Sequence, residues 1–144
     1  MISRRVLILL AVACCCSASA LKPSDQSADA LLTRLSHVET FAFGGTGFAM
    51  SISQGEKDYR ALLARPSAAA NFKRLFAHGN PQAKAYALVG LQQTDPNRFA
   101  KLAAALQSST LQVQTMQGCI MFPYPMSTVI SRIRSGMYSG PETR

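Results

Sequence analysis

Three sets of side chains in this sequence have the chemistry for a reaction, and each set is thin. Apart from Cys14, Cys15 and Cys16, the chain has one thiol, Cys119, and only His37 and His78 offer an imidazole to draw off its proton. Neither histidine has a catalytic setting. His78 belongs to His78-Gly79-Asn80-Pro81, which reads as a helix stop and restart, and His37 falls near a helix end, where a cation is favoured. Two separated histidines and one cysteine also lack the close ligand pairs of a zinc site, so no metal ligand is assigned. Among 7 acidic residues, Asp25 and Asp95 read as helix caps and Asp29 and Glu142 as solvated, while Glu39, Glu56 and Asp58 cluster around a glycine-rich segment. A paired-carboxylate hydrolase holds two carboxyls roughly 5–10 Å apart, and Glu39 with Glu56 is the pair that could flank a groove. A small cell-wall hydrolase using Glu39, Glu56 or Cys119 is therefore the enzyme alternative. The preferred reading is non-enzymatic, with no catalytic residue and no cofactor.

The glycine-rich segment is Phe41-Ala42-Phe43-Gly44-Gly45-Thr46-Gly47-Phe48-Ala49. Successive glycine amides can cradle an anion, but the lysine and hydroxyl that follow a P-loop are missing and the spacing does not fit a dinucleotide fingerprint. Aromatics interleaved with glycine also suit an exposed binding element. Phe41, Phe43, Gly44, Gly45, Gly47 and Phe48 are accordingly the candidate partner-binding residues. A packed turn is the structural alternative.

Residues 1–20 bear on where such binding takes place. Arg4 and Arg5 precede an apolar run from Val6 to Ala13, three cysteines and Ala18-Ser19-Ala20, the pattern of a signal peptide cleaved before Leu21. The run is too short to span a bilayer. Ala11-Val12-Ala13-Cys14 resembles a lipoprotein signal, which makes Cys14 the candidate lipidation site and membrane tethering the alternative to a secreted or periplasmic protein. Ser3-Arg4-Arg5 also resembles a twin-arginine signal. Without Arg4 and Arg5 the chain keeps 13 basic against 7 acidic residues, a net charge of +6. That balance favours anionic membrane surfaces, wall polymers or acidic proteins, and the spread of the charge, together with export, argues against nucleic acid. With Cys119 as the only remaining thiol no internal disulfide forms, and Met116, Ile120, Met121 and Phe122 around it suggest a buried core residue.

The elements that would position these residues are mostly helices. Ala28, Leu31, Leu32, Leu35 and Val38 mark one face of a first helix capped by Ser24 or Asp25. Four short helices follow from Gly55, separated by Pro66-Ser67, Gly79-Asn80-Pro81 and Thr94-Asp95-Pro96. The third, Pro81 to Gln93, is apolar on several faces and should be the most buried. Leu111 to Met116 alternates like a strand and could pair with the Phe41–Ala49 region. Pro123 and Pro125 read as an extended bend, and a last helix carries Val129, Ile130 and Ile133 between a Ser127 cap and a Gly136 stop.

An offset of 27 residues relates Tyr59 to Tyr86, Leu62 to Val89, Phe72 to Phe99, Arg74 to Lys101 and Leu75 to Leu102. The pattern resembles a short HEAT-type helical-hairpin repeat over residues 55–107. Together with the leader, the segment at 41–49, Tyr86-Ala87-Leu88-Val89-Gly90-Leu91 and Gly118-Cys119, the chain resembles small exported bacterial proteins with helical folds and no assigned activity, which carry over no site residue. The expected organisation is a signal at 1–20, one mainly α domain at 21–138 built as a compact array of short helical hairpins with a small two-stranded β element, and a flexible tail at 139–144. The expected role is an exported protein-binding or envelope-associated module, with an inhibitor or immunity-type protein as one form. Its partner would be a protein in the envelope or outside the cell.

Overall fold

A computed structural model describes residues 27–138, and within them six helices and two small antiparallel sheets make a mainly α fold. Residues 1–20, expected to be a signal, the lipidation candidate Cys14 and residues 139–144, expected to be a tail, lie outside the described residues.

Local capping chemistry fixes most helix starts. Ser27, not Ser24 or Asp25, opens α1 (Ala28–Ser36): its hydroxyl accepts from the Ala30 N–H at 3.2 Å, one turn ahead of the buried Leu31, Leu32 and Leu35. Ser53 caps α2 (Gln54–Leu63) through the Glu56 N–H at 3.1 Å. After α3 (Ala68–His78), the Asn80 side chain caps α4 (Pro81–Thr94) at 2.8 Å, and Asp95 caps α5 (Pro96–Ala105) at 3.1 Å. Each of these last two helices has proline in its first turn, where no amide partner is needed. Gly79 is not the left-handed stop that a glycine there suggests. It is extended, with φ −81° and ψ 160°, and is small because a Cβ would collide with Ala83 and come within 2.7 Å of the Leu75 carbonyl.

The third helix of that series, α4, is the centre of the core. Ala83, Ala85, Tyr86, Ala87, Leu88, Val89, Gly90 and Leu91 are all buried, because α2, α3, α5, the last helix at Met126–Arg134 and a strand at Gln112–Gln117 pack around it. Gly90 gives the Phe72 ring its place: a Cβ there would overlap the ring. A bidentate pair from Arg34 Nε and Nη2 to Asp58, both at 2.8 Å, ties α1 to α2.

The strands depart from the expected pairing. The alternating segment does form β3 (Gln112–Gln117), burying Val113 and Thr115, but its full partner is β4 (Ile120–Pro125). The region at 41–49 meets β3 through one parallel bridge, Phe41 to Thr115, and the turn after β3 through another, Thr46 to Gly118. Its own small hairpin pairs β1 (Gly45–Thr46) with β2 (Ser51–Ile52). Pro123 and Pro125 therefore sit in a strand, not in a bend, and β3 explains why they are tolerated. The Gln114 carbonyl and the Met116 N–H turn toward Phe41, bonding its N–H at 2.8 Å and its carbonyl at 3.2 Å. Pro123 and Met121, opposite them, must turn their backbones away from β3, and so must Pro125 opposite Gln112. A missing N–H costs no ladder bond on that outer edge. Pro125 also takes the N-cap position of α6 (Met126–Arg134), which leaves Ser127 inside the helix instead of capping it. Gly136 ends this last segment with φ 79°.

Candidate binding surface

The glycine-aromatic segment divides into an anchored and a projecting half. Phe41 is 1% exposed, and its ring meets Tyr86 at 4.9 Å, Tyr138 at 5.0 Å and Phe43 at 5.4 Å in edge-on contacts. Phe43 is partly buried against Tyr59, Tyr86 and Tyr138. Between them, the Tyr86 hydroxyl accepts from the Ala42 N–H at 3.0 Å and donates to the Ala42 carbonyl at 2.8 Å. One buried phenol on the central helix thus satisfies both backbone groups of a residue with no ladder partner. Burial pushes this phenol up to about 12 from an ordinary value of 10.0. Gly55 leaves room for it, since a Cβ would lie 2.8 Å from the hydroxyl oxygen. Phe41 is accordingly a core residue and cannot touch a partner, contrary to its place among the candidate contacts.

The glycines do not make an anion cradle either. The Gly44 N–H donates to Glu56 at 2.8 Å and the Gly47 N–H donates to the Gly118 carbonyl at 2.8 Å. Two of the three amides are spent, one of them on a carboxylate. Gly45 instead lets Met50 fold back over it: a Cβ would sit 3.0 Å from both the Met50 methyl and its carbonyl oxygen. Met50 is the one non-glycine residue with positive φ among the described residues, at 48°.

Beyond Gly44 the segment projects. Gly47 to Met50 form the loop between β1 and β2, with Phe48 fully exposed at 100% and Met50 at 66%. The β3–β4 turn, Gly118-Cys119, lies beside it, joined by the Gly47–Gly118 bond. Gly118 has φ 56°, which suits the first central position of a two-residue hairpin turn. The exposed large apolar side chains among the described residues are Phe48, Met50, Ile52, Ile120, Met121, Phe122 and Met137. All but Met137 belong to the two hairpins. Met137 joins them by lining, with Met50, Gly118 and Tyr138, a groove of about 240 Å³. Scattered exposed leucines would need no explanation, but an apolar set concentrated on two adjoining hairpins does. The surrounding sequence matches: residues 40–55 and 102–131 contain no Asp, Glu, Lys or Arg. Sequence reasoning named no residue of β4 as a binding candidate, and the second charge-free run, which also takes in the end of α5 and the start of α6, is the signal that could have pointed to it.

The chemically capable residues fall in different settings. Glu56 is fully buried, and its carboxylate accepts from Gly44 and from Arg60 Nε at 2.9 Å and Nη2 at 2.6 Å. It is a structural anchor, whereas Glu39 is exposed. Cys119 is exposed in the hairpin turn, not buried in the core as its apolar neighbours suggest. His37 ends α1, and His78 lines a separate cleft of about 150 Å³ between α1 and α3 with Leu32 and Arg74. Among the described residues no group of three or more His, Cys, Asp or Glu side chains could hold a metal ion, and no helix is long and apolar enough to cross a membrane. No protein-family model, no curated protein and no solved structure matches this chain.

Proposed function

We propose that this chain is an exported, non-enzymatic binding module of the cell envelope, and that it docks through the face formed by the β1–β2 and β3–β4 hairpins. The observation that carries this reading is the concentration of exposed apolar side chains, headed by Phe48, Met50 and Ile120, in segments free of charge. Export rests on the pattern of residues 1–20. An inhibitor or immunity-type protein is one form such a module takes.

The test is retention by native envelope vesicles. The wild-type chain should sediment with them, and Phe48→Ser or Met121→Ser should release it while leaving the melting temperature unchanged. Lys101→Gln, on α5, should sediment like wild type. Hairpin variants that are retained as well as wild type would refute the reading.

A further inference from the structure

Resting on that docking role, we propose that the hairpin face seats against an anionic lipid surface, with Phe48 entering the bilayer interface. A lipid interface asks three things of a protein edge, and this face meets each. It must bring no charge into the apolar region, and neither residues 40–55 nor residues 102–131 carry one. It must leave few backbone donors unsatisfied where water is scarce. On the outer edge of β4, Pro123 and Pro125 have no N–H, so Met121 is left as the outward donor of that stretch. The same prolines oppose the commonest way a protein partner uses a free strand, which is to add a strand of its own. Finally, positive charge should flank the apolar tip, where it can meet lipid phosphates.

That flank is present on both sides. Lys57 lies in the first turn of α2, separated by the buried Glu56 from the charge-free run that ends at Gly55, and is exposed. On the other side α6 packs on β3 and β4, with the Arg132 guanidinium 4.0 Å from the centre of the Tyr124 ring and Arg134 in the last turn. Asp29, Glu56 and Asp58 each bond an arginine and Asp95 lies 3.9 Å from Lys73, so the exposed acidic side chain beside these runs is Glu39, set against the basic Lys57, Arg132 and Arg134. Phe48 stands at the apex of its loop, fully exposed. Such docking is peripheral and reversible.

The chain has no tryptophan, so Phe48→Trp gives a single reporter at the tip. Mixed with protein-free vesicles of phosphatidylglycerol and phosphatidylethanolamine, its emission should shift to the blue, and high salt should weaken the effect. Ala100→Trp, exposed on α5, should not shift. By flotation, Phe48→Ser and, as a second variant, Ile120→Ser should each lower vesicle affinity roughly tenfold to a hundredfold. Pure phosphatidylcholine vesicles should bind more weakly. The proposal is overturned if the protein-free vesicles bind no chain while native envelope vesicles still retain it through the hairpins, because the occupant is then a protein. It is also overturned if light scattering shows a dimer that Phe48→Ser dissociates, because the face then belongs to a second copy. Retention by neither kind of vesicle would end the docking reading as well.

Discussion

Phe41 and Phe48 have the same side chain and belong to one short segment, yet Phe41 is packed in the core and Phe48 is wholly in solvent. Intrinsic hydrophobicity does not separate them. What does is the supply of partners from distant parts of the chain. Phe41 has β3 on its backbone and Tyr86 and Tyr138 on its ring, and its neighbour Ala42 is held by the Tyr86 hydroxyl. Phe48 lies past Gly44 and Gly47, whose amides tie down the base of the loop and leave its apex without a covering element. A segment can thus be rooted in the core at one end and offer an apolar tip at the other, and the two ends should respond to mutation in opposite ways.

The largest effect should come from the rooted end. Phe41→Ala removes a buried aromatic ring and should lower unfolding free energy in urea by about 3–5 kcal/mol. Next, Tyr86→Phe keeps the ring but orphans the Ala42 N–H; the carbonyl retains the Ser53 hydroxyl at 3.3 Å. A loss of about 1–3 kcal/mol is expected, read by the same titration. The phenol also sets a pH dependence. Because its folded value is raised to about 12 from 10.0, its contribution is complete below pH 10 and is lost as pH rises from 10 through 12, on the order of 2 kcal/mol. Stability measured across that range should fall less steeply for Tyr86→Phe than for wild type. Burial also raises Tyr59, so some slope should remain in the variant. The smallest effect belongs to the projecting end: Phe48→Ser should change stability by no more than about 0.5 kcal/mol. A large loss there would erase the distinction between the two ends.

The starts of α4 and α5 were legible in the sequence because their causes are local. Asn80-Pro81 and Asp95-Pro96 bring the cap and the first-turn proline together, and the structure uses both as expected. The many apolar faces of Pro81 to Gln93 likewise announced a central helix. Pairing was less legible, since Pro123 and Pro125 look like breakers until β3 assigns their outer edge. Cys119 shows the same limit. Met116, Ile120, Met121 and Phe122 suggest a core around it, but the two-residue turn at Gly118-Cys119 makes that neighbourhood the tip of a hairpin. The candidate segment was legible as a break in the helical pattern. Its division into Phe41 and Phe48 ends was not, because the group that divides it, the Tyr86 hydroxyl, comes from α4.

Amide hydrogen exchange, followed in the free chain and in the chain bound to native envelope vesicles, tests the central claim most directly. The account predicts that Ala42, Gly44 and Gly47 are protected in both states, while Phe48, Ala49 and the outward-facing Met121 gain protection only on binding. Unprotected amides at Ala42 and Gly44 in the free chain, or no gain at Phe48, Ala49 and Met121 on binding, would contradict it.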